Sequence, residues 1–254
     1  MLKRIKTFIK KYWLTFILFL GLILSYIYYT ESGRANPYLF PKVDSMKKAF
    51  EASKDLMLIN LVSSFKLMFP SITISLIFSI VVGTILGLVK WLRDALYPII
   101  YALSCVPSIL LSPFVLLLAP NFEVASIFLI VYGTVWTTLF ATINGIMPID
   151  KRYLDKATTL ELRGLKLLFK VILPAASPTI LSGFVSSLRS TFIMLVYVEM
   201  YGTEYGMGFF VKKYSTFGLY DYTWVGFIFL VIVLIVVMQM FEKLKDYLIK
   251  WTID

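Results

Sequence analysis

The chain has 254 residues and a net charge of +10; 59% of its residues are hydrophobic, 16% are charged, and the mean hydropathy is +0.82. This composition excludes an ordinary soluble domain and is typical of a protein with several membrane-spanning helices. The sequence has no histidine, which excludes His-based catalysis and His-ligated metals, and its single cysteine, Cys105, excludes an intrachain disulfide.

Six apolar stretches predict an all-α polytopic membrane protein, because each is close to the roughly 20 residues that cross a bilayer as a helix. They lie at about 13–29, 67–89, 96–118, 124–146, 180–198 and 224–241. We therefore predict one transmembrane domain over residues 1–254. The first stretch could also be a signal peptide cleaved near Gly33-Arg34-Ala35, but about 17 apolar residues exceed the usual signal core.

Glycines and prolines punctuate these stretches. Residues 36–60 predict a connector with a short amphipathic helix near 45–54, and the pair Gly83 and Gly87 in the second stretch favours close helix packing. Pro107 and Pro113 in the third stretch predict a break or kink. Such a break is consistent with a helix that lines a pathway and equally with a purely structural bend.

The lysines and arginines are distributed unevenly between the two sides of the predicted membrane. If the N terminus is cytoplasmic, 16 of the 25 lie on the inside and seven on the outside, which satisfies the positive-inside rule. Both termini and the segment 148–176 are then cytoplasmic. The net charge follows from this topology and requires no nucleic acid partner.

One cation is predicted at membrane depth. Arg189 lies about ten residues into the fifth stretch, whereas Lys66 and Glu199 lie near enough to the outer face to be hydrated. We favour a position for Arg189 that faces a translocation pathway or a dimer interior over a structural ion pair. An arginine there suits an anionic substrate, although one arginine does not identify the substrate.

The segment 150–174 is the most informative part of the chain. Helical spacing places a cationic stripe on one side and an apolar row on the other, which suits either anionic lipid or a cytoplasmic partner. The stripe consists of Arg152, Lys156, Thr159, Arg163, Lys166 and Lys170, and the apolar row of Leu154, Ala157, Leu165, Leu168 and Ile172.

This segment resembles the EAA loop of binding-protein-dependent ABC importer permeases, whose pattern is Glu-Ala-Ala, three residues, Gly, nine residues and then Ile-x-Leu-Pro. Alignment at Pro174 sets Asp155 on the Glu, Ala157 on the second Ala and Glu161 on the Gly. Further resemblance lies in Leu39-Phe-Pro-Lys-Val, Val106-Pro-Ser-Ile-Leu-Leu-Ser-Pro113 and Val198-Glu-Met-Tyr-Gly-Thr-Glu-Tyr-Gly-Met-Gly208. Within the superfamily the chain is most similar to sulfonate, taurine, nitrate and thiamine-precursor permeases.

The resemblance implies a type I importer permease in the bacterial inner membrane. It implies a homodimer surrounded by lipid, two cytoplasmic ATPases that hold the ATP and Mg, an extracytoplasmic binding protein, and no cofactor or enzymatic activity in this chain. The residues that inherit an ATPase-coupling role are Asp155, Ala157, Leu160, Glu161, Gly164, Leu173 and Pro174. Arg189, for its charge at membrane depth, and Pro107 and Pro113, for the predicted break, are the candidate pathway residues. The resemblance gives Glu199, Gly206 and Gly208 a binding-protein docking role.

Glu161 departs from the family pattern, in which Gly permits a turn. We expect Gly164 to supply the break instead, which would lengthen the first helix and leave Glu161 on its partner-facing side. There Glu161 would meet a basic group on the ATPase or, equally, form a solvated intrahelical pair.

Other classes remain as alternatives. The triplet Leu162-Arg163-Gly164 suggests the scaffold subunit of an energy-coupling-factor vitamin transporter. A secondary transporter would need intramembrane carboxylates or inverted repeats, which are not evident. A membrane enzyme is least favoured, since the stretches contain no clustered acids and no Ser-based motif.

Overall fold

The computed structural model describes the backbone of residues 2–250 and side chains from residue 13 onward, apart from those at 151, 154 and 158. The predicted apolar role of Leu154 therefore lies outside the described side chains. Within these limits the chain is helical and has no strand. The helices are α1 (Leu2–Glu31), α2 (Val43–Leu88), α3 (Lys90–Ser104), α4 (Ser108–Leu118), α5 (Phe122–Ile146), α6 (Lys151–Thr159), α7 (Gly164–Leu167) with a π-helical turn (Leu168–Ile172), α8 (Leu173–Gly202), α9 (Met207–Thr216) and α10 (Tyr220–Leu248).

By length and composition, five of the described helical segments can cross a membrane, and a sixth crossing is formed if the bent pair α3 and α4 counts as one. The five are Trp13–Glu31, Val43–Leu88, Phe122–Ile146, Gly164–Gly202 and Tyr220–Leu248. This confirms the predicted all-α polytopic class. The fifth predicted stretch is much longer than expected, because α7, the π-helical turn and α8 join without a break.

The connector and the second stretch form one helix rather than two. α2 begins at Val43 and continues for 46 residues to Leu88, with Pro70 inside it. The prediction of a short, separate amphipathic helix at 45–54 is therefore wrong, because these residues are part of the much longer α2. A proline removes only one backbone hydrogen bond, and contacts with neighbouring helices hold the rest of α2 together.

The third stretch is broken, as its prolines predict. α3 and α4 meet at an angle of 89°. Pro107 is the cap residue before α4, with extended backbone angles, whereas Pro113 lies inside α4 and does not end it. Of the two prolines, only Pro107 therefore lies at the break between α3 and α4.

α5 lies between α2 and α8 at the centre of the bundle. Small residues let these helices approach: Gly83 packs on Thr142, Gly87 on Ile146, and a Cβ at Gly183 would overlap Ala141. The predicted packing role of Gly83 and Gly87 is confirmed. Hydroxyls tie the same helices together through Thr134–Thr191 (3.0 Å), Thr138–Ser187 (3.2 Å) and Ser79 to the Val135 carbonyl (2.9 Å).

The bundle has two distinct ends. The segment 147–172 lies at one, hereafter the loop end, where Ile146, Ile172 and Ala176 share a buried cluster. The segment 203–219 lies at the other, hereafter the far end, where α9 packs between α8 and α10. The outer part of α1 is tied to the far end by Tyr26, whose hydroxyl donates to the Pro41 carbonyl over 2.8 Å.

Candidate functional sites

α6 begins with a carboxylate cap. One oxygen of Asp150 accepts the backbone N–H of Arg152 over 2.9 Å, and the other accepts the Arg152 side chain, Nε at 2.8 Å and Nη2 at 2.6 Å. These bonds hold the pKa of the Asp150 carboxyl below its usual range. The cap fixes the point at which the chain leaves Ile146 and turns into α6.

α6 ends in a Schellman turn centred on Glu161. The backbone N–H of Leu162 donates to the Ala157 carbonyl over 2.9 Å, and Glu161 between them has a φ of 53°. This is the left-handed position that usually takes Gly, and it coincides with the Gly of the family pattern. The expectation that Gly164 replaces this turn and extends the helix past position 161 is wrong. Gly164, the first residue of α7, is also left-handed, with a φ of 56°.

Replacing Glu161 with Gly is expected to stabilise this turn by about 0.5–1 kcal/mol, because Gly avoids the left-handed penalty of a residue that carries a Cβ. Hydrogen exchange at the Leu162 amide should slow accordingly. Glu161→Gln is the matched control, since it removes the charge and keeps the Cβ. Equal hydrogen-exchange rates at Leu162 in Glu161→Gly and Glu161→Gln would mean that the left-handed conformation of residue 161 does not destabilise the turn.

The segment 150–174 presents an exposed apolar surface surrounded by cationic side chains. Leu160, Leu165 and Phe169 are 70%, 71% and 64% exposed. Around them the cations of the predicted stripe are exposed as well, namely Arg152, Lys156, Arg163, Lys166 and Lys170. We call these eight residues the loop surface. They are distributed over α6, the turn after it, α7 and the π-helical turn, so the prediction of a single striped helix is wrong. Leu165 is exposed, although the pattern placed it on the inner row.

The other predicted coupling residues differ in exposure. Ala157 is buried, Asp155 is exposed, and Leu173 and Pro174 are half-buried. A cavity of about 420 Å³ opens between α6 and the start of α8, lined by Ala157, Leu160, Pro174 and seven further residues. From Gly164 the chain is helical without interruption to Gly202. α7, the π-helical turn and α8 therefore form one continuous helical segment.

The same helical segment carries Arg189. Ser182, Ser186 and Arg189 are exposed on one face of α8, at steps of four and three, and the guanidinium makes no hydrogen bond or ion pair within the described chain. Thr137 and Asn144 are exposed on the adjoining part of α5. We call this strip of five side chains the polar face.

The broken span is tied to α8 from the other side. Ser112 of α4 and Tyr197 of α8 are joined by a hydrogen bond of 2.9 Å between their hydroxyl groups. Tyr132 donates from α5 to the Leu103 carbonyl over 2.7 Å, just before the break. Pro107 and Pro113 are both exposed. These bonds place the break beside α5 and α8 without bringing either proline into hydrogen-bonded contact with Arg189.

At the far end, three side chains bind three successive N–H groups at the start of α9. Asn60 Oδ1 accepts from Gly206 over 2.9 Å, Ser64 Oγ from Met207 over 2.9 Å, and Glu199 Oε2 from Gly208 over 2.8 Å. Free N–H groups and the helix dipole make a helix start a favourable partner for a carboxylate. We call this group of three the α9 clasp.

Glu199 lies in this clasp and is only 1% exposed. The expectation of a hydrated Glu199 is wrong, because α9 folds back over it. Gly206 and Gly208 are buried too, and a Cβ at Gly208 would lie 2.6 Å from the Val196 carbonyl oxygen. Gly206 has a φ of 113°, and a Cβ there would overlap the Glu199 carboxyl group.

Replacing Glu199 with Ala is expected to destabilise the protein by about 1–3 kcal/mol, because the Gly208 N–H is left buried without a partner. Thermal unfolding of the detergent-solubilised protein measures the loss, and proteolysis within 203–219 should accelerate. Glu204→Ala removes a carboxylate that is exposed and makes no ion pair or hydrogen bond among the described residues, and it should change neither quantity. A Glu199→Ala protein that is as stable as the control would contradict the clasp.

Two of the three clasp residues, Asn60 and Ser64, are not among the functional residues predicted from the sequence. Asn60 and Ser64 stand four residues apart on α2, so their spacing offers a signal: two polar side chains on one helical face in an apolar region. Their partners are more than 140 residues away along the chain, and the sequence pattern alone cannot supply that pairing.

Comparison with known proteins agrees with this architecture. The family model of the binding-protein-dependent transport system inner membrane component matches residues 75–253. An aliphatic sulfonates transport permease protein of Bacillus subtilis is 30% identical over 172 residues, which is 68% of this chain and 62% of the relative. A nitrate import permease protein of Synechocystis is 28% identical over 132 residues, covering 52% and 48% of the two chains. A bicarbonate transport system permease protein of Synechococcus elongatus is 30% identical over 140 residues, covering 55% and 50%.

The chain thus spans about half to three fifths of the length of these curated relatives. The matched family region contains α5, the loop surface, Arg189 and Glu199, and so covers most of the bundle. Similarity to sulfonate and nitrate permeases confirms the narrower resemblance, to which the comparison adds a bicarbonate permease. The chain belongs to the family of binding-protein-dependent transport system inner membrane components.

Proposed function

We propose that this chain is the membrane permease of an ATP-driven importer that takes up a small anionic solute. A separate cytoplasmic ATPase binds ATP and Mg, an extracytoplasmic binding protein delivers the solute, and two copies of the chain enclose the pathway in the cytoplasmic membrane. Family membership supports a transport role. The loop surface carries the coupling part of the proposal.

An ATPase is the partner that the loop surface fits best. Leu160, Leu165 and Phe169 lie between membrane segments, on a loop whose cations would keep it out of the bilayer core. Exposed apolar side chains with a polar rim are the usual composition of a protein interface. A loop that only rested on anionic lipid would need the cations but not the turn that projects Leu160.

The coupling follows from the continuous helix. ATP-driven closure of two ATPases would shift α6 and α7, and the helical segment from Gly164 to Gly202 would carry that shift through the bundle. At about 1.5 Å per residue, its 39 residues extend for roughly 58 Å. Arg189 and Glu199 both lie on this helical segment, so a single displacement of the segment would change both the polar face and the far end. The loop transmits force and performs no chemistry.

The polar face supports the pathway and the second copy. A cation against lipid is costly near the bilayer centre, and Arg189 has no partner within the described chain to offset that cost. The face also lies on the outside of a single chain, so one copy alone leaves it uncovered. Two copies that bring their polar faces together would place Arg189 beside a shared pathway.

An anionic solute agrees with this charge. Arg189 offers a fixed positive charge and a planar set of donors, which suits oxyanions. The names of the three relatives refer to sulfonates, nitrate and bicarbonate, and all three are oxyanions. We therefore propose an oxyanion-bearing solute within the sulfonate, taurine and nitrate class.

Co-purification tests the assembly. An affinity-tagged chain expressed with its transporter components should retain one kind of ATPase. Retention of an ATPase pair with a small membrane binding subunit would favour an energy-coupling-factor scaffold, and solute uptake without any ATPase would favour a secondary transporter.

Cysteine labelling tests the orientation. In a Cys105→Ser background, single cysteines replace Ser45, Lys156 and Ser215 in sealed cells. An impermeant thiol reagent should label positions 45 and 215 from outside and position 156 only after the membrane is opened. Labelling of position 156 from outside would contradict cytoplasmic placement of the loop surface.

A further inference from the structure

A cavity of about 420 Å³ opens at the loop end, between α6 and the start of α8. We call it the loop-end cavity. Its volume lies in the range of roughly 300–1,000 Å³ that is usual for small-molecule sites. Its polar lining residues are Tyr153, Lys156 and Lys170, no carboxylate is among the described residues that line it, and the rest of its wall is apolar.

The two lysines of the loop-end cavity have no counter-charge. The side chains of Lys156 and Lys170 are exposed, and neither forms an ion pair or a hydrogen bond with a described residue. The Tyr153 hydroxyl likewise makes no hydrogen bond within the described part of the chain. Asp155 precedes Lys156 but does not line the cavity. Two like charges around one cavity repel each other, and an anion between them would offset this repulsion and accept hydrogen bonds from both.

The loop-end cavity is not the centre of the loop surface. Lys156, Lys170 and Leu160 belong to both, but Leu165 and Phe169 do not line the cavity. Docking of an ATPase on Leu165 and Phe169 therefore does not require that the cavity be filled. Two free cations at its wall are left without a role in that docking.

The loop-end cavity is in line with the polar face along α8. Ala175 and Pro178 line the cavity. Ser182, Ser186 and Arg189 follow Pro178 at steps of four, four and three residues, which keeps all of them on one side of the helix. At about 1.5 Å per residue, Pro178 and Arg189 are roughly 16 Å apart along the helix axis. The cavity is thus a separate place from Arg189, at the loop end of the same row.

We propose that Tyr153, Lys156 and Lys170 bind the oxyanion group of the solute at the cytoplasmic end of the pathway, after the solute has left Arg189. The proposal rests on the proposed function, which makes the polar face a pathway and the loop end cytoplasmic. The charged oxygens would lie at the two ammonium groups and the phenol, and a carbon chain would lie against the apolar wall. The site therefore suits an organic oxyanion such as a sulfonate, since a small inorganic ion would leave that wall uncovered.

An anionic lipid headgroup carries the same oxyanion chemistry. A lipid site would need the two lysines, but it would not need to lie in one row with Ser182, Ser186 and Arg189. This alignment favours the solute as the occupant, and lipid composition separates the two sources in the experiment.

Protection of a single cysteine tests the site. Ala175→Cys in a Cys105→Ser background places one thiol in the cavity wall. The complex of permease and ATPase, in nanodiscs of zwitterionic lipid, is labelled with a soluble maleimide. Sodium ethanesulfonate is the probe, because it has one oxyanion group and a short carbon chain. Sodium chloride at the same ionic strength is the reference, so that salt screening acts equally on both.

Two double variants separate the cavity from charge in general. Lys156→Gln with Lys170→Gln removes both cations of the cavity. Its matched control, Lys90→Gln with Lys243→Gln, removes two exposed cations that the predicted topology also places inside and that do not line the cavity. All samples are compared at equal ATPase content and equal thermal stability.

We expect ethanesulfonate to slow the labelling of position 175 in the otherwise unchanged chain. The Lys156 and Lys170 double Gln variant should need a more than about tenfold higher concentration for half protection, because two charge-assisted contacts are lost. The control should be protected as the unchanged chain is. No protection by ethanesulfonate over chloride would overturn the site, and so would an equal loss in the control. Slow labelling that needs only phosphatidylglycerol in the nanodisc, and that the double Gln variant abolishes, would identify a lipid site and overturn the proposal.

The two proposals can fail separately. If proteoliposomes of the complex import an anionic solute with ATP while ethanesulfonate does not protect position 175, the loop-end site is wrong and the importer stands. Arg189→Gln should leave the protection unchanged, because the two places are separate, and loss of protection in that variant would overturn a second site. If the complex neither imports an anion with ATP nor shows protection, both proposals fall.

Discussion

Arg189→Gln is expected to lower solute uptake by more than about tenfold while the assembled complex is retained. The substitution keeps much of the length and hydrogen-bonding capacity of the side chain and removes its charge. Because Arg189 has no partner in the described chain, no buried counter-charge is left behind. The loss should therefore fall on transport and not on folding. Uptake in proteoliposomes, normalised to the amount of intact complex, is the measurement.

Two companion variants define the cause. Arg189→Lys retains the charge without the planar donor set, so it should keep more uptake than Gln. Ser186→Ala changes a neutral member of the polar face and should have a much smaller effect. Unchanged uptake in Arg189→Gln would contradict the pathway role, as would loss of the complex before any loss of uptake, since that pattern indicates a structural ion pair between copies.

Hydropathy was sufficient to predict the membrane class and the approximate positions of the spans. Long apolar runs leave a chain few alternatives to the helix in a bilayer, because every backbone polar group must be paired internally. Proline chemistry likewise predicted the break at Pro107. The continuity of α2 could not be predicted this way. Residues 43–59 mix polar and apolar positions, and the buried side chains of this part of α2, Ala49 and Met57, pack in one cluster with residues of α9 and α10.

Turns and long-range polar contacts were the parts that sequence could not predict. Glu161 was expected to avoid a left-handed conformation, yet the bond between Leu162 and Ala157 closes the turn around it. The local preference was thus overridden by one hydrogen bond and by the burial of Ala157. Glu199 was predicted near water from its place in the chain alone. Its burial depends on Asn60 and Ser64, which no local pattern connects to it.

A double substitution of Leu160 and Leu165 by Asp is expected to detach the ATPase. Each side chain is about 70% exposed in the chain alone, so neither is needed for folding of the bundle. In a complex both would be covered, and two carboxylates without partners would then be buried at the centre of an interface. We expect affinity for the ATPase to fall by well over tenfold. The ratio of ATPase to permease after affinity purification measures it.

The cations of the loop surface should matter less than its apolar residues. Exposed charges at an interface rim act mainly on association rate and salt dependence, so Lys166→Gln should weaken retention of the ATPase only slightly. Phe217→Asp provides the matched control, since it places the same carboxylate on an exposed apolar residue at the far end. It should leave the ATPase bound. If the double Asp variant keeps the ATPase as firmly as Phe217→Asp does, with equal thermal stability, then the apolar part of the loop surface is not the docking site and coupling must pass through another part of the loop end.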